Sequence, residues 1–284
     1  MSASTSEAVR AQVHGMWSAV ADRWADHADE IDERGADITA AMLTSASVRR
    51  GDEVLELACG PGGLGMAAAE LVGAEGAVVL SDVAGEMVAI AAERAARRGL
   101  TNVRTATLDL EEIAEPENSF DVVLCREGLM FAVEPDQAIH EIRRVLRPGG
   151  RVAVAVWAPQ RDNPWLGLVF DAVTATTGIP VPPPGIPGPF ALGDRAHLQG
   201  LFVDAGFAAV TVDKISSPLH SPSFEDWWAR TKAIAGPLSA MLAWLDENKT
   251  AELEQRLRES VAPYSNESGI DLPGLTLLLS AHRQ

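Results

Sequence analysis

From residue 1 to about residue 50, apolar side chains recur every three or four positions, at Val13, Met16, Trp17, Val20 and Trp24, with Asp22, Arg23, Asp26 and Asp29 between them. That spacing gathers the apolar groups on one helix face and turns the charges outward, so this leader is predicted helical. From Asp52 the texture changes. Short β-favouring runs, Glu53–Leu57, Ala77–Ser81, Val103–Thr107, Phe120–Cys125 and Arg151–Trp157, alternate with helical stretches. Strands separated by helices imply a parallel sheet covered on both faces, and right-handed crossovers make it doubly wound, an α/β fold. In one connecting helix Met87, Ile90 and Ala91 keep an apolar face until Gly99, which is placed for a left-handed cap. In another, Pro135 suits the first turn, Ile139, Ile142 and Leu146 form the stripe, and Pro148-Gly149-Gly150 ends it.

Beyond Trp157 the alternation breaks. Residues 180–189 hold six of the chain's 17 prolines and are predicted to be a loop beside a pocket. A helix over Asp194–Ala205, a strand over Ala208–Ile215, a helical stretch from Phe224 to about Val261 and an apolar run over Leu275–Ala281 follow. The organisation expected is a helical lid over residues 1–50 and a domain over 51–284 with insertions at about 158–193 and 217–270.

Composition narrows the class. Of 284 residues, 47% are hydrophobic and 22% charged, as in soluble globular proteins, and the formal net charge is −17. No basic block is long enough to neutralise a phosphate backbone, so nucleic acid is not an expected partner. The amino terminus lacks the positive and apolar segments of a secretory signal, and no run is long and apolar enough to span a bilayer, which predicts a cytoplasmic protein. Cys59 and Cys125 are too far apart for a CxxC motif and read as buried thiols, and no His or carboxylate cluster has ligand spacing, so no metal is expected.

The chemistry concentrates in Val54-Leu-Glu-Leu-Ala-Cys-Gly-Pro-Gly-Gly-Leu-Gly65, an apolar strand running into a glycine-rich turn. Gly60, Gly62 and Gly65 satisfy GxGxxG, which keeps a dinucleotide reading open. Glu56, on the strand itself, would set negative charge beside the ligand, which disfavours a pyrophosphate and favours an ammonium or sulfonium. Asp82, 22 residues after Gly60, stands where a carboxylate takes both hydroxyls of a ribose. Asp109, at the third strand's end, would accept from the exocyclic amine of an adenine. Three acids on successive strand ends suit an adenosyl sulfonium.

With Leu80-Ser-Asp-Val-Ala-Gly-Glu-Met87, Asn118-Ser-Phe-Asp-Val-Val-Leu-Cys125 and Glu141-Ile-Arg-Arg-Val-Leu-Arg-Pro-Gly-Gly150 in the same order, the sequence resembles the class I S-adenosylmethionine-dependent methyltransferases, in the branch of the ubiquinone/menaquinone-biosynthesis methyltransferases. The resemblance is strongest over residues 53–157. It implies a Rossmann-like sheet of seven strands, mostly parallel with the last antiparallel, the runs at 208–215 and 275–281 supplying the added strands. It also implies S-adenosyl-L-methionine as cofactor and a small molecule as methyl acceptor. In that reading Glu56 faces the methionyl end, Gly60 and Gly62 make room for it, and Asp82 binds the ribose. Val83 lies on the adenine face, Asp109 and the Leu110 amide bind its edge, Cys125 offers its carbonyl to the ammonium, and Ala58 and Met87 share the pocket. Ala58 replaces a glycine usual in the family, and a negative φ is expected there.

Methyl transfer needs alignment and exclusion of water more than covalent help from the protein. All seven tryptophans lie outside residues 51–156, and of these Trp17, Trp24 and Trp157 are expected to line an apolar or aromatic acceptor pocket. Trp227, Trp228 and Trp244 are expected to pack helices. Arg126, Glu127, Met130 and Phe131 follow the fourth strand, from which side chains of related enzymes reach the methyl group; Arg126 and Met130 are the candidate acceptor contacts. His14 and His27 on the leader, and Arg126, are the candidates for proton transfer or catalysis. The competing functions are an NAD-dependent oxidoreductase, supported by GxGxxG, and a non-catalytic S-adenosylmethionine-binding protein.

Overall fold

The computed structural model describes residues 3–235, 238, 242 and 244–284. The five central apolar runs become parallel strands: β1 (Glu53–Leu57), β2 (Ala77–Asp82), β3 (Val103–Thr107), β4 (Phe120–Arg126) and β5 (Leu146–Trp157). Val54, Leu55, Leu80, Val122, Leu124, Val154 and Ala155 have no accessible surface, which is the consequence of covering both faces of a parallel sheet. Each such Val or Leu contributes about 1.5–3 kcal/mol of transfer free energy. Strand β6 (Phe207–Ser216) precedes a small separate sheet made of β7 (Leu219–Ser221), β8 (Ser265–Asn266) and β9 (Gly269–Leu272), and β10 (Leu275–Arg283) closes the chain. The main sheet has the order β3-β2-β1-β4-β5-β10-β6, with β10 antiparallel to both β5 and β6. The seven-stranded expectation therefore holds. The order reverses between β1 and β4, so the ends of these two strands open the crevice in which ligands of doubly wound sheets sit.

Helices α1 (Ala3–Ser18), α2 (Ala21–Asp26), α3 (Ala28–Arg34) and α4 (Ala36–Ser45) form the leader. Of these, α4 is not part of a separate cover. Its Ile38 and Met42 are buried with Val54, Leu124, Ala153 and Leu278, so α4 belongs with α5 (Gly63–Val72) and α6 (Gly85–Arg97) to the layer covering one face. The opposite face is covered by α7 (Pro135–Val145) and α9 (Arg195–Asp204), through Ile139, Ile142, Leu198 and Phe202. Gly99 is left-handed, with φ +69, and Asp194 caps α9 by accepting from the His197 N–H.

Three expectations change. The helix α7 stops at Val145, and Leu146 takes extended backbone because Pro148, Gly149 and Gly150 bulge at the entry to β5, where the β4–β5 register slips. The stretch from Phe224 to Val261 is two helices in its described part, α10 (Phe224–Ile234) and α11 (Glu247–Val261); Asp246 starts the second by accepting from the Lys249 N–H. With α8 (Pro164–Thr177) and β9 these helices enclose a second core around Trp165, Phe170, Trp227, Trp228 and Leu257. Trp244, expected to pack, is 87% exposed. Among the described residues no helix is long and apolar enough to cross a membrane.

Candidate active site

The turn after β1 needs backbone that side chains resist. Gly60 has φ +50 and Gly62, the first residue before α5, φ +87. Ala58 also has φ +51, against the negative value expected. The turn imposes this conformation, and Gly128 accommodates the methyl group that results: a Cβ on Gly128 would lie 2.3 Å from the Cβ of Ala58. A Cβ on Gly65 would lie 2.1 Å from Leu80 and 2.4 Å from Glu56 Oε2, so this glycine lets α5 approach the strands.

Glu56 is 2% exposed, and its Oε2 accepts the Gly65 N–H at 2.9 Å. Burial pushes its pKa up to about 8, only partly opposed by Arg126 and the Gly65 hydrogen bond. Burial thus favours the protonated carboxyl until a cationic ligand lies beside it. Asp82 ends β2 with one oxygen accepting the Gly60 N–H at 2.9 Å and the other the Ala84 N–H at 3.0 Å. Burial raises its pKa and these hydrogen bonds oppose the rise. Each oxygen keeps a lone pair, so a pair of hydroxyls can still be accepted. Asp109 lies two residues past β3, with Oδ1 accepting the Glu111 N–H and Oδ2 3.4 Å from His14 Nε2.

These acids border one cavity of about 320 Å³. Glu56, Ala58, Gly60, Asp82, Val83, Met87, Asp109 and Leu110 line it, as do His14, Trp17, Trp24, Arg126 and Trp157. Gly62, Cys125, Met130 and His27 do not. A Cβ on Gly62 would face Ala91 and Leu80, so its role is packing and φ. Cys125 and Met130 are buried in the core, and in the turn after β4 it is Phe131 that faces the cavity. His27 sits in an adjoining chamber, 3.3 Å from Glu30.

Arg126 is not a free cation. Its Nη1 donates to Thr39 at 2.8 Å, its Nη2 is 3.5 Å from Asp32, and Gly35 leaves the space through which it passes. Asp32 also accepts from Arg94 at 2.8 Å, and Arg94 donates to the Pro61 carbonyl. This ladder binds the leader to the glycine-rich turn. A second attachment, invisible in the sequence, is made by Arg10: its guanidinium donates to Glu111 through Nε, at 2.8 Å, and through Nη2. The other Glu111 oxygen accepts the Val133 N–H at 2.6 Å. The only sequence signal for this pair is opposite charge across 101 residues.

Other parts of the cavity wall are aromatic. Trp17 meets Trp24 edge-on at 5.6 Å and Phe131 at 5.0 Å, while Trp157 meets Trp165 at 4.7 Å. Trp24 packs against the glycine-rich turn, 3.7 Å from where a Cβ on Gly60 would lie, and its Nε1 donates to the Ile234 carbonyl at 3.0 Å. Residues 181–183 and 186–189 of the proline-rich loop complete the wall.

Comparison with known proteins points the same way. Residues 49–172 match a family described as a methyltransferase domain. The ubiquinone/menaquinone biosynthesis C-methyltransferase UbiE of Azotobacter vinelandii is 38% identical over 128 residues, 45% of this chain and 50% of that one. The protein of the same name from Pseudomonas putida is 32% identical over 184 residues, 61% of this chain and 71% of that one. The chain thus spans about half the length of the first of these relatives. Among solved structures, a putative methyltransferase from Bacillus halodurans has a TM-score of 0.62 at 18% identity, covering 86% of this chain and 98% of its own. YcgJ from Bacillus subtilis has a TM-score of 0.59 at 20% identity, covering 87% and 97%. These two likenesses concern the fold.

Proposed function

The chain belongs to the class I S-adenosylmethionine-dependent methyltransferases, in the UbiE-like branch, and on that premise we propose that it methylates a small aromatic acceptor, at a ring carbon of a hydroquinone-like molecule. The observation that carries this reading is the continuity of one cavity, bordered by the acids Glu56, Asp82 and Asp109 and walled by Trp17, Trp24, Phe131 and Trp157. The name carried by the curated relatives supports the choice of acceptor and of carbon.

S-adenosylmethionine, when bound, supplies an electrophilic methyl group whose transfer discharges the sulfonium. Glu56 accepts from or faces the cationic methionyl end, Asp82 takes the ribose hydroxyls, and Asp109 with the Leu110 amide reads the adenine edge. The aromatic walls align a flat acceptor and keep water from the reacting carbon. A hydroquinone carbon becomes a nucleophile when the neighbouring oxygen gives up its proton. Of the two leader histidines only His14 lines the cavity. Its Nε2 lies 3.4 Å from Asp109 Oδ2, beside the acid proposed for the adenine edge. His27 is turned to Glu30, and Arg126 orients Asp32 and the leader.

Calorimetric titration with S-adenosylmethionine and, separately, NAD tests the first half. Binding of NAD alone would restore the oxidoreductase reading. Transfer of labelled methyl from the bound cofactor to a reduced quinone tests the second half, with the position of the label giving the atom methylated. Cofactor binding without transfer to any hydroquinone or phenol offered would favour a non-catalytic binding protein.

A further inference from the structure

The acceptor end of the cavity opens beside a chamber of about 100 Å³, and Trp24, Ile31, Glu127 and Trp157 line both. Three guanidinium groups line this chamber: Arg126, already held by Thr39 and Asp32, and, from other elements, Arg34 at the end of α3 and Arg230 on α10. Arg34 sits over the Trp165 ring, with its central carbon 4.1 Å from the ring centroid. The ring itself is immobilised: Trp165 Nε1 donates to Asn163 Oδ1 at 3.1 Å, and the fully buried Asn163 also bonds the backbone of Ala158 and Leu275. The guanidinium and its N–H groups thereby rest on a ring that hydrogen bonds hold in place.

Among the described residues those N–H groups have no hydrogen-bond acceptor, and no carboxylate lies within 4.0 Å of them. Arg230 makes a single long hydrogen bond, 3.3 Å, to the His220 carbonyl. The Thr231 hydroxyl, on the chamber wall, has no partner among the described residues. Of the two acids at the chamber, Glu30 is turned to His27 and Glu127 stands off from Arg34 beyond ion-pair distance. Burial pulls the Arg34 pKa down to about 10, Glu127 restores part of the loss, and Arg230 lowers it further. Two guanidinium groups without carboxylate partners and one hydroxyl thus line the same chamber. A partly buried, preorganised guanidinium fork is the arrangement that binds a planar oxyanion through two parallel hydrogen bonds.

We propose that this chamber binds a carboxylate carried by the acceptor, held by Arg34 and Arg230, so that the acceptor's apolar body lies between the aromatic walls of the main cavity. The proposal rests on the methyltransferase reading and adds a charged anchor to an acceptor otherwise recognised by apolar contact.

The test uses the full chain saturated with S-adenosylhomocysteine and two probes of one shape, 2-naphthoate and the neutral 2-naphthamide, titrated calorimetrically at pH 7. The naphthoate is expected to bind about tenfold or more tightly than the amide. In Arg34→Gln that preference falls to near unity while amide affinity stays the same, and Arg230→Gln and Thr231→Val each reduce it in part. Thermal melts of each variant show that it is folded, and Arg230→Gln carries the test if Arg34→Gln is not. Equal affinity for the two probes, no naphthoate binding up to millimolar concentration, or a preference that survives in both arginine variants overturns the proposal. Saturation with S-adenosylhomocysteine is measured first, so failure of the cofactor site is distinguished from failure of the chamber.

Discussion

The two ends of the cavity are built in opposite ways. At the cofactor end each functional group sits within a few residues of the strand that positions it: Glu56 on β1, Asp82 at the end of β2, Asp109 just past β3. The strands are fixed by the core, and the hydrogen bonds from Gly65, Gly60, Ala84 and Glu111 fix the carboxylates. At the acceptor end the walls come from α2, the turn after β4, the proline-rich loop and α10, which meet only in the folded chain. The first end is preorganised by local structure. The second is held by a few long-range attachments, Arg126–Asp32–Arg94, Arg10–Glu111 and Trp24–Ile234, and is where relatives of one fold can differ in acceptor.

The largest effect is expected at the preorganised end. Asp82→Ala removes the acceptor proposed for the ribose hydroxyls and should weaken S-adenosylmethionine binding by roughly 2–4 kcal/mol, about 30- to 1000-fold. It also strands the Gly60 and Ala84 N–H groups, so the melting temperature should fall as well. Calorimetry below that temperature reads the affinity. Unchanged affinity would remove Asp82 from the site.

Glu56 gives a smaller effect with a pH signature. Below its ordinary pKa of 4.5 the carboxyl is protonated in the folded and unfolded states alike; between there and about 8 only the folded state keeps the proton. Its contribution to stability therefore falls as pH rises through that window. Glu56→Gln keeps the shape and removes the slope, so the empty variant should gain on the wild type with rising pH, on the order of 3 kcal/mol at pH 7. Cofactor binding moves the other way. A cation favours the ionised carboxyl, so wild-type affinity should rise with pH up to about 8 with release of a proton, and the variant should lack this dependence. Affinity independent of pH in the wild type would mean that Glu56 does not face the cationic end.

Between these ends lies the contact of Ala58 with Gly128, which tests whether the glycine-rich turn is as rigid as the comparison requires. Gly128→Ala puts a methyl group 2.3 Å from the Ala58 Cβ and should cost about 1–3 kcal/mol. Adding Ala58→Gly removes the clash and relieves a left-handed alanine, so the double variant should recover most of the loss in a denaturation cycle. Additive losses would show that the turn yields instead.

How much of this was legible follows the same division. The five central strands, and the places of Glu56, Asp82 and Asp109 on or just past them, could be read because short apolar runs, glycine punctuation and alternation with helices are local signals. The φ of Ala58 could not, since the space for its methyl group is provided by Gly128, seventy residues on in sequence and adjacent only through the β1–β4 pairing. The packing of α4 into the core was hidden in a leader whose amphipathic pattern does not say which surface it meets. Arg126 looked free because Thr39 and Asp32, which hold it, lie on helices with no visible relation to β4. Arg10, Glu111 and Arg34 carry no pattern at all: their partners are chosen by topology. Met130 and Phe131 differ by one position in a turn too short for periodicity to assign a face.

The smallest expected effect probes the acceptor end most directly. Trp24→Phe keeps an aromatic ring against Trp17 and the glycine-rich turn but deletes the N–H that donates to the Ile234 carbonyl. One hydrogen bond of this kind contributes about 1 kcal/mol, so global stability should change little. The bond nevertheless joins the leader to the end of α10, so amides in residues 21–26 and 228–234 should exchange faster. Because the loss falls on the wall between leader and late helices, KM for the acceptor should rise several-fold while the S-adenosylmethionine Kd, set by groups on β1, β2 and β3, stays within a factor of about two. If cofactor affinity fell as far as acceptor affinity, the two ends would be one cooperative unit, and the contrast between a locally built cofactor end and a long-range acceptor end would not hold.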